Sequence, residues 1–246
     1  AANNFDNQKE ALREIIGENA GVLDPLGETL PLKKPEPDNV SKWDETAETN
    51  NLSIIAAFNE MEVSRKNIDI QRSGHLPQLD LVGTYGVSDD SSSFGFRGDT
   101  QKIGVQLNVP LFEGGAVNSR TRQASHNYEA AKENLTAVKR SIKRQVNNIY
   151  RSILTSISRI EALKATVTSA ANALEASEAG FEVGIRTMVD VLGEQRNLYR
   201  AKRDLSRARY DYLVNAIKLQ QTTSDLTQND LELINRLLVA NTSPPK

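Results

Sequence analysis

AVNSRTRQASHNYEAAKENLTAVKRSIKRQVNNIYRSILTSISRIEALKATVTSAANALEASEA, residues 116–179, contains neither glycine nor proline. A helix of that length, rising ~1.5 Å per residue, is a rod of roughly 95 Å, whereas helices of globular proteins usually stop after ~8–20 residues. Its apolar positions, among them Ala124, Leu135, Ile142, Val146, Ile149, Ile153, Ile160, Val167 and Leu174, recur in steps near the helical period. One narrow stripe is therefore apolar along the rod, and its polar flanks call for other long helices beside it. A compact sphere of 246 residues has a radius of gyration of only ~18 Å, so an elongated or assembled protein is expected.

Beyond the rod, Gly180 and Gly184 end the helix, and Thr187 with Asp190 three positions on predicts a capped start for the next one. That second helix reads to Thr222. Val191, Leu198, Leu205, Tyr212 and Leu219 keep strict seven-residue spacing, with Ala201 and Ala208 between them, which suits a close antiparallel seam against the rod.

Ahead of the rod, past Gly114 and Gly115, the period changes to two. Residues 78–87 place Leu79, Leu81, Tyr85 and Val87 on one face and Asp80, Thr84 and Gly86 on the other; residues 102–111 place Ile103, Val105, Leu107, Val109 and Leu111 on one face. Residues 88–100 read as a polar loop between them. Two strands of about ten residues with one apolar and one polar face match a tilted transmembrane hairpin, and equally a soluble amphipathic hairpin covering a helix. With no segment available to cover the apolar face, lipid is its expected partner. A two-stranded sheet cannot close, and open edges are not tolerated in hydrocarbon. Since the smallest spanning barrels have about eight strands, either many copies assemble or each protomer supplies a second hairpin.

The remaining segments organise around these elements. Residues 1–17 read as the end of a preceding long helix, with Phe5, Leu12, Ile15 and Ile16 on one face, stopped by Gly17; the chain is expected to be a piece of a longer precursor. Residues 18–50, with five prolines and glycines from Pro25 to Pro37 and one tryptophan, Trp43, read either as a surface connector or as an equatorial belt segment, with a short helix near Val40 to Thr49. Residues 51–74 form a helix proximal to the strands, 75–114 the β-hairpin, 115–222 the helical hairpin. Residues 223–246 form a tail with a short helix capped by Thr227 and Asp230, followed by a loose Pro244-Pro245 end.

Composition narrows function further. Thirty Lys and Arg balance 32 Asp and Glu, so no strong field points to nucleic acid. There is no cysteine, and His75 and His126 are the only histidines, which argues against thiol chemistry and a histidine metal site. No carboxylate pair, nucleophile with base or phosphate loop stands out, so neither an enzyme nor a cofactor is expected. Arg97-Gly98-Asp99 is a tripeptide too short to carry a function. The basic run Arg200, Lys202, Arg203, Arg207 and Arg209 is expected to face solvent or neighbouring acids, and His75 to make a local hydrogen bond.

Four stretches then point one way: His75-Leu76-Pro77-Gln78-Leu79-Asp80-Leu81, Val109-Pro110-Leu111-Phe112-Glu113-Gly114-Gly115, Val183-Gly184-Ile185-Arg186-Thr187-Met188-Val189-Asp190-Val191-Leu192, and Ala208-Arg209-Tyr210-Asp211-Tyr212-Leu213. Together they resemble the TolC-like outer membrane channel proteins of tripartite efflux pumps and type I secretion, and the chain looks like the second structural repeat of such a protomer. The resemblance implies a mainly α protein with a transmembrane β-hairpin: a homotrimer with the upstream repeat, a share of a 12-stranded β-barrel in the outer membrane of a Gram-negative bacterium, and a long antiparallel α-helical barrel in the periplasm. It implies a passive duct working with a periplasmic adaptor (membrane fusion protein) and an inner-membrane transporter, in contact with outer membrane lipid. It also implies a gate at the hairpin tip, with Arg186, Thr187 and Phe181 in the latch and Asp190 and Glu194 at the constriction. Phe181 stands where a tyrosine often gives a latch hydroxyl, and Gly193 where a second aspartate often follows, with Glu194 adjacent. Asp190 reads equally as a helix cap, and Arg186 as a solvated guanidinium. The competing expectation is a soluble helical-hairpin periplasmic adaptor, which would normally carry a compact β domain in place of residues 79–111.

Overall fold

A computed structural model describes residues 2–18, 23–27, 29–89 and 97–239. The elements run α1 (Ala2–Ile16), α2 (Val40–Asn50), α3 (Leu52–Arg72), a 3-10 turn (Ser73–His75), β1 (Gln78–Asp89), β2 (Arg97–Asn108), α4 (Ala116–Glu182), α5 (Met188–Thr223) and α6 (Gln228–Asn235). The chain divides into two compact units, Ala1–Asn51 with Ile142–Lys246, and Leu52–Ser141. No helix among the described residues is long and apolar enough to cross a membrane.

The first unit is organised by the seam between α4 and α5. Val146, Ile149, Ile153 and Ile160 of α4 form one buried cluster with Ala208, Tyr212, Leu213 and Leu219 of α5 and Ala47 of α2. The small Ala201 and Ala208 are buried at this seam, which lets two helices of bulky residues approach. Across one face of the pair runs the segment from Leu23 to Asn39, lacking a regular element of its own and fastened by side chains from both helices. The Tyr212 hydroxyl accepts from the Lys33 N–H at 2.9 Å and donates to the Lys33 carbonyl at 2.8 Å. The Tyr150 hydroxyl donates to Asp38 at 2.5 Å. Tyr210 accepts from Leu26 N–H at 3.2 Å, and the Arg209 guanidinium donates to the Gly27 carbonyl. Arg209 is thus a strap anchor, not one of the solvent-facing bases expected from the run Arg200 to Arg209; a composition reading cannot see that Gly27 carries an unpaired carbonyl at that height.

The strap continues into α2, capped by Asn39, whose side chain accepts from Ser41 N–H at 2.9 Å. The Trp43 indole donates to the Pro37 carbonyl at 2.9 Å, and Asp44 accepts from Asn147 at 2.9 Å. Asn51, expected as the first residue of the following helix, instead takes an extended conformation between α2 and α3. Its side-chain amide donates 2.7 Å to the Thr222 carbonyl at the end of α5, one of the orphan acceptors of that helix terminus. The tail joins here: Gly27 N–H reaches Leu237 O at 2.9 Å and Val239 N–H reaches Pro25 O at 3.0 Å, a short antiparallel bridge. α6 begins at Thr227, whose N–H and hydroxyl both donate to Asp230, at 2.9 and 2.6 Å. Pro244-Pro245 lies outside the described residues.

In the second unit β1 and β2 pair antiparallel from Gln78↔Asn108 to Asp89↔Arg97. The strands therefore extend into the stretch expected as loop, because backbone ladder bonds do not require apolar side chains. Residues 90–96, and the Arg97 side chain of the Arg-Gly-Asp tripeptide, lie outside the described residues. At the other end β2 stops at Asn108, short of the expected Leu111: Pro110 has no N–H to give the ladder. Val109, expected as a strand residue, follows the strand and is not in it. Gly114 and Gly115, at φ 60° and 83°, then turn the chain into α4, a conformation open to glycine at little cost. Glu113 pairs with Arg120 at 2.7 Å across this turn, and His75 meets Asn118 at 3.3 Å as a local hydrogen-bonding residue.

The strap's attachment is testable at Tyr212, which is 6% exposed. Tyr212→Phe leaves one partly buried N–H and one carbonyl unpaired, and is expected to cost about 1–3 kcal/mol of unfolding free energy, read by chemical denaturation of the intact protein in detergent. Tyr210→Phe, with its single exposed hydrogen bond, is expected to cost less than half as much.

Candidate functional site

Two places carry side chains that packing within the chain does not explain: the α4–α5 turn in the first unit and the β-hairpin in the second.

α4 continues through Gly180, expected as its end, to Glu182; the residue that stops it is Gly184, at φ 77°. The N–H groups of Ile185 and Arg186 return to the Gly180 carbonyl at 2.8 and 3.0 Å. A Cβ on Gly180 would sit 2.7 Å from Arg186 Cγ, so the bare Cα of Gly180 is the seat on which the arginine stem rests. In the sequence Gly180 is a glycine four residues before another, a spacing that by itself predicts a helix stop.

Thr187 then caps α5. Its Oγ1 accepts from Asp190 N–H at 3.3 Å, while one oxygen of Asp190 accepts from the Thr187 N–H at 2.9 Å and from its hydroxyl at 2.8 Å. This is a capping box with the shorter acid. The Thr187 backbone N–H, then its hydroxyl, hold the Asp190 carboxyl below the usual carboxylate range, and the Arg186 charge adds in the same direction. Arg186, Thr187 and Asp190 are therefore brought together, and Asp190 is ionised at neutral pH. Arg186 makes no ion pair of its own among the described residues. Phe181 is partly exposed and Glu194 is bonded only to Asn197, at 3.4 Å; neither is tied to the Arg186–Asp190 group. No cluster of potential metal ligands occurs among the described residues.

In the β-hairpin the register sets like against like over its first pairs. Leu79 faces Leu107 and Leu81 faces Val105 on one side of the sheet, where Ile103, Tyr85 and Val87 also lie. The other side carries the pairs Gln78↔Asn108, Asp80↔Gln106 and Thr84↔Lys102. Every apolar residue of the first face is open: Leu81 is 78% exposed, Ile103 87% and Leu107 62%. At the end of the apolar band Tyr85 donates to Asp99 at 3.3 Å, a tyrosine with its ring on the apolar face and its hydroxyl on a charge. Val109, just past β2, is exposed too. Among the described residues the sheet has only these strands, so the outer edge of each has no strand beside it there.

The family model described as outer membrane efflux protein matches residues 43–224. The chain belongs to this family. It is 38% identical to the outer membrane protein TolC of Escherichia coli over 97% of its own length and 50% of the relative's, and 40% identical to the TolC of Vibrio cholerae over 96% of its length and 55% of the relative's. It is 32% identical to the alkaline protease secretion protein AprF of Pseudomonas aeruginosa over 98% of its length and 52% of the relative's. Among solved structures it is similar in fold to the outer membrane protein VceC of Vibrio cholerae, at TM-score 0.67 and 20% identity over 90% of this chain and 53% of that one. The open state of the Neisseria gonorrhoeae MtrE outer membrane channel gives TM-score 0.66 at 18% identity, over 92% of this chain and 53% of that one. The chain thus spans about half the length of the relatives it matches. It is an outer membrane protein of a Gram-negative bacterium, and the soluble adaptor expectation is not favoured.

The two faces of the hairpin make opposite demands. Val105→Arg, farther along the apolar face from the strand end, is expected to lower the yield of protein folded into lipid vesicles in line with a cost of up to about 2–4 kcal/mol. Gln106→Arg, one residue along on the polar face, is expected to leave that yield unchanged; equal yields for the two variants would contradict the assignment of faces.

Proposed function

We propose that the intact protein is a passive exit duct across the outer membrane, serving tripartite efflux and type I secretion, with its periplasmic gate at the turn between α4 and α5. The observation that carries this reading is the hairpin β1–β2. It has one face of exposed Leu, Val and Ile, one polar face, and two unpaired edges. In hydrocarbon such a sheet is stable only as part of a closed barrel, with lipid on the apolar face and water on the polar one. A homotrimer whose protomers each add a second hairpin from the upstream repeat reaches a 12-stranded barrel, above the minimum of about eight. The names of relatives, an alkaline protease secretion protein and an efflux protein family, support export as the task. A periplasmic adaptor and an inner-membrane transporter are the partners such a duct requires.

At the gate, symmetry copies of Asp190, already ionised by its cap, concentrate negative potential on a narrow axis, with Glu194 as the second acid of the ring. Arg186 is the latch: held at its stem by Gly180 and without an ion pair among the described residues, its guanidinium is available to an acceptor on a neighbouring helix. Thr187 supports it by fixing the turn, and Phe181 contributes packing without a hydroxyl.

Asp190→Ala is expected to shift the reversal potential of the channel in a planar bilayer under a salt gradient toward zero, as cation selectivity falls; an unchanged potential removes Asp190 from the ring. Arg186→Ser is expected to raise single-channel conductance, and a conductance equal to that of the parent protein would end the latch assignment.

A further inference from the structure

The α4–α5 pair also carries a face whose lining, among the described residues, comes from these two helices alone. On it the helices enclose an open groove of about 550 Å³, lined by Arg151, Arg159 and Lys218 together with Ser152, Thr155 and Asp211. Asn148 and Asn215 add further amide donors. None of the three cations makes an ion pair among the described residues, and Asp211 is the only acid in the lining.

The charge continues along α5. Arg200 and Arg207 precede Asp211 by eleven and four positions and Lys218 follows it by seven, spacings that keep all of them on one side of a helix. In the same unit, by contrast, Glu175, Glu178, Glu182, Asp190 and Glu194 lie toward the turn. The chain's near-neutral total of −2 therefore conceals a basic stretch on the shank and an acidic one around the turn.

We propose that this groove is a binding site for a multivalent oxyanion, a small solute carrying two or more phosphate or carboxylate groups. Three guanidinium and ammonium groups without an ion pair among the described residues, in a lining that holds a single acid, favour a ligand of at least two negative charges. The hydroxyls of Ser152 and Thr155 and the amides of Asn148 and Asn215 supply short neutral donors between them. The volume lies in the range of small-molecule sites and leaves little for a packed helix, which would find only Val214 as an apolar surface in the lining. Because the cations are exposed, each contact is weak and screened by salt; a single-charge anion is held poorly, and charge on the ligand, not its shape, decides affinity.

The test is titration of the intact detergent-purified protein with inorganic tripolyphosphate, followed by calorimetry at low salt. Binding is expected to weaken by about tenfold or more in Arg159→Ser/Lys218→Ser and by a similar factor when salt is raised from about 50 to 500 mM. Lys202→Ser, whose ammonium lies over the Tyr199 ring outside the groove, is expected to bind as the parent does. Monophosphate is expected to bind far more weakly than tripolyphosphate. No heat of binding at low salt, or equal affinity in the double variant and the parent, overturns the proposal. So does loss of the oligomer on sizing of the double variant, which would assign these cations to a contact between chains. The readout does not involve transport, so a failure here leaves the exit-duct reading standing, and unchanged bilayer currents at Asp190 and Arg186 leave the groove standing.

Discussion

The backbone of β1 and β2 imposes the constraint on which the rest depends. Each strand satisfies one edge of hydrogen bonds with its neighbour and presents the other edge unpaired. In water such an edge is a liability, and in hydrocarbon it costs several kcal/mol per unsatisfied group. No other segment of the described chain supplies a strand to either edge, and no part of it lies over the apolar face. The hairpin is therefore built for surroundings that a single chain does not provide. That requirement explains the alternation of a face bearing Leu79, Leu81, Ile103, Val105 and Leu107 with one bearing Gln78, Asp80, Thr84, Lys102 and Gln106: a one-residue slip of one strand would put polar groups on the apolar side.

The helical unit solves a different problem. A long two-helix seam has a narrow apolar stripe and no globular core, so its burial per residue is low and its register is weakly fixed by hydrophobicity alone. The polar strap adds what the seam lacks. Tyr212 and Tyr150 stand on the seam, each with an apolar ring in the buried cluster and a hydroxyl bonded to the strap, at Lys33 and Asp38. Asn51 joins the end of α2 to the end of α5 by one side-chain amide bonded to the Thr222 carbonyl. Hydrogen bonds of this kind add little net stability each, but they are directional, and they hold α4 and α5 at one relative height where sliding by a turn would preserve much of the apolar contact.

What was legible in the sequence follows from which of these forces leaves a periodic trace. The helix from Ala116, the heptads of α5 with Ala201 and Ala208, the capping pairs Thr187–Asp190 and Thr227–Asp230, and the alternating strands all write regular spacing, and each stands where that spacing places it. Boundaries were less legible: β1 and β2 extend beyond the apolar alternation because the ladder is made by backbone, and α4 passes Gly180 because glycine tolerates helix where a neighbour needs its missing Cβ. The contacts of the strap were not legible. Gly27 with Arg209, Leu26 with Tyr210 and Lys33 with Tyr212 join residues about 180 positions apart, and no local pattern in an irregular segment marks which carbonyl will be left for which side chain. At the turn, the spacing of Thr187 and Asp190 declared the cap, whereas the seat that Gly180 gives Arg186 is a distance in space with no counterpart in composition.

The turn also shows how a moving part can be stiff within itself and loosely held to its surroundings. Its internal bonds are complete: the Gly180 carbonyl takes two N–H groups, Asp190 takes the Thr187 N–H and hydroxyl, and Gly184 absorbs the change of direction. These local bonds need not break for the α4–α5 hairpin to shift as a body. The groups left over are the Arg186 guanidinium and the exposed Val183, Ile185 and Val189, none of them committed to the chain's own packing. Exposed ion pairs of the kind Arg186 can form contribute at most about 1 kcal/mol each, small against the energy that folds the hairpin. In the proposed duct this separation of scales is what makes a reversible gate possible: contacts between neighbours can be exchanged many times while the cap and the glycine turn keep the hairpin's shape, and the Thr187 N–H and hydroxyl favour the ionised Asp190 from within the same chain.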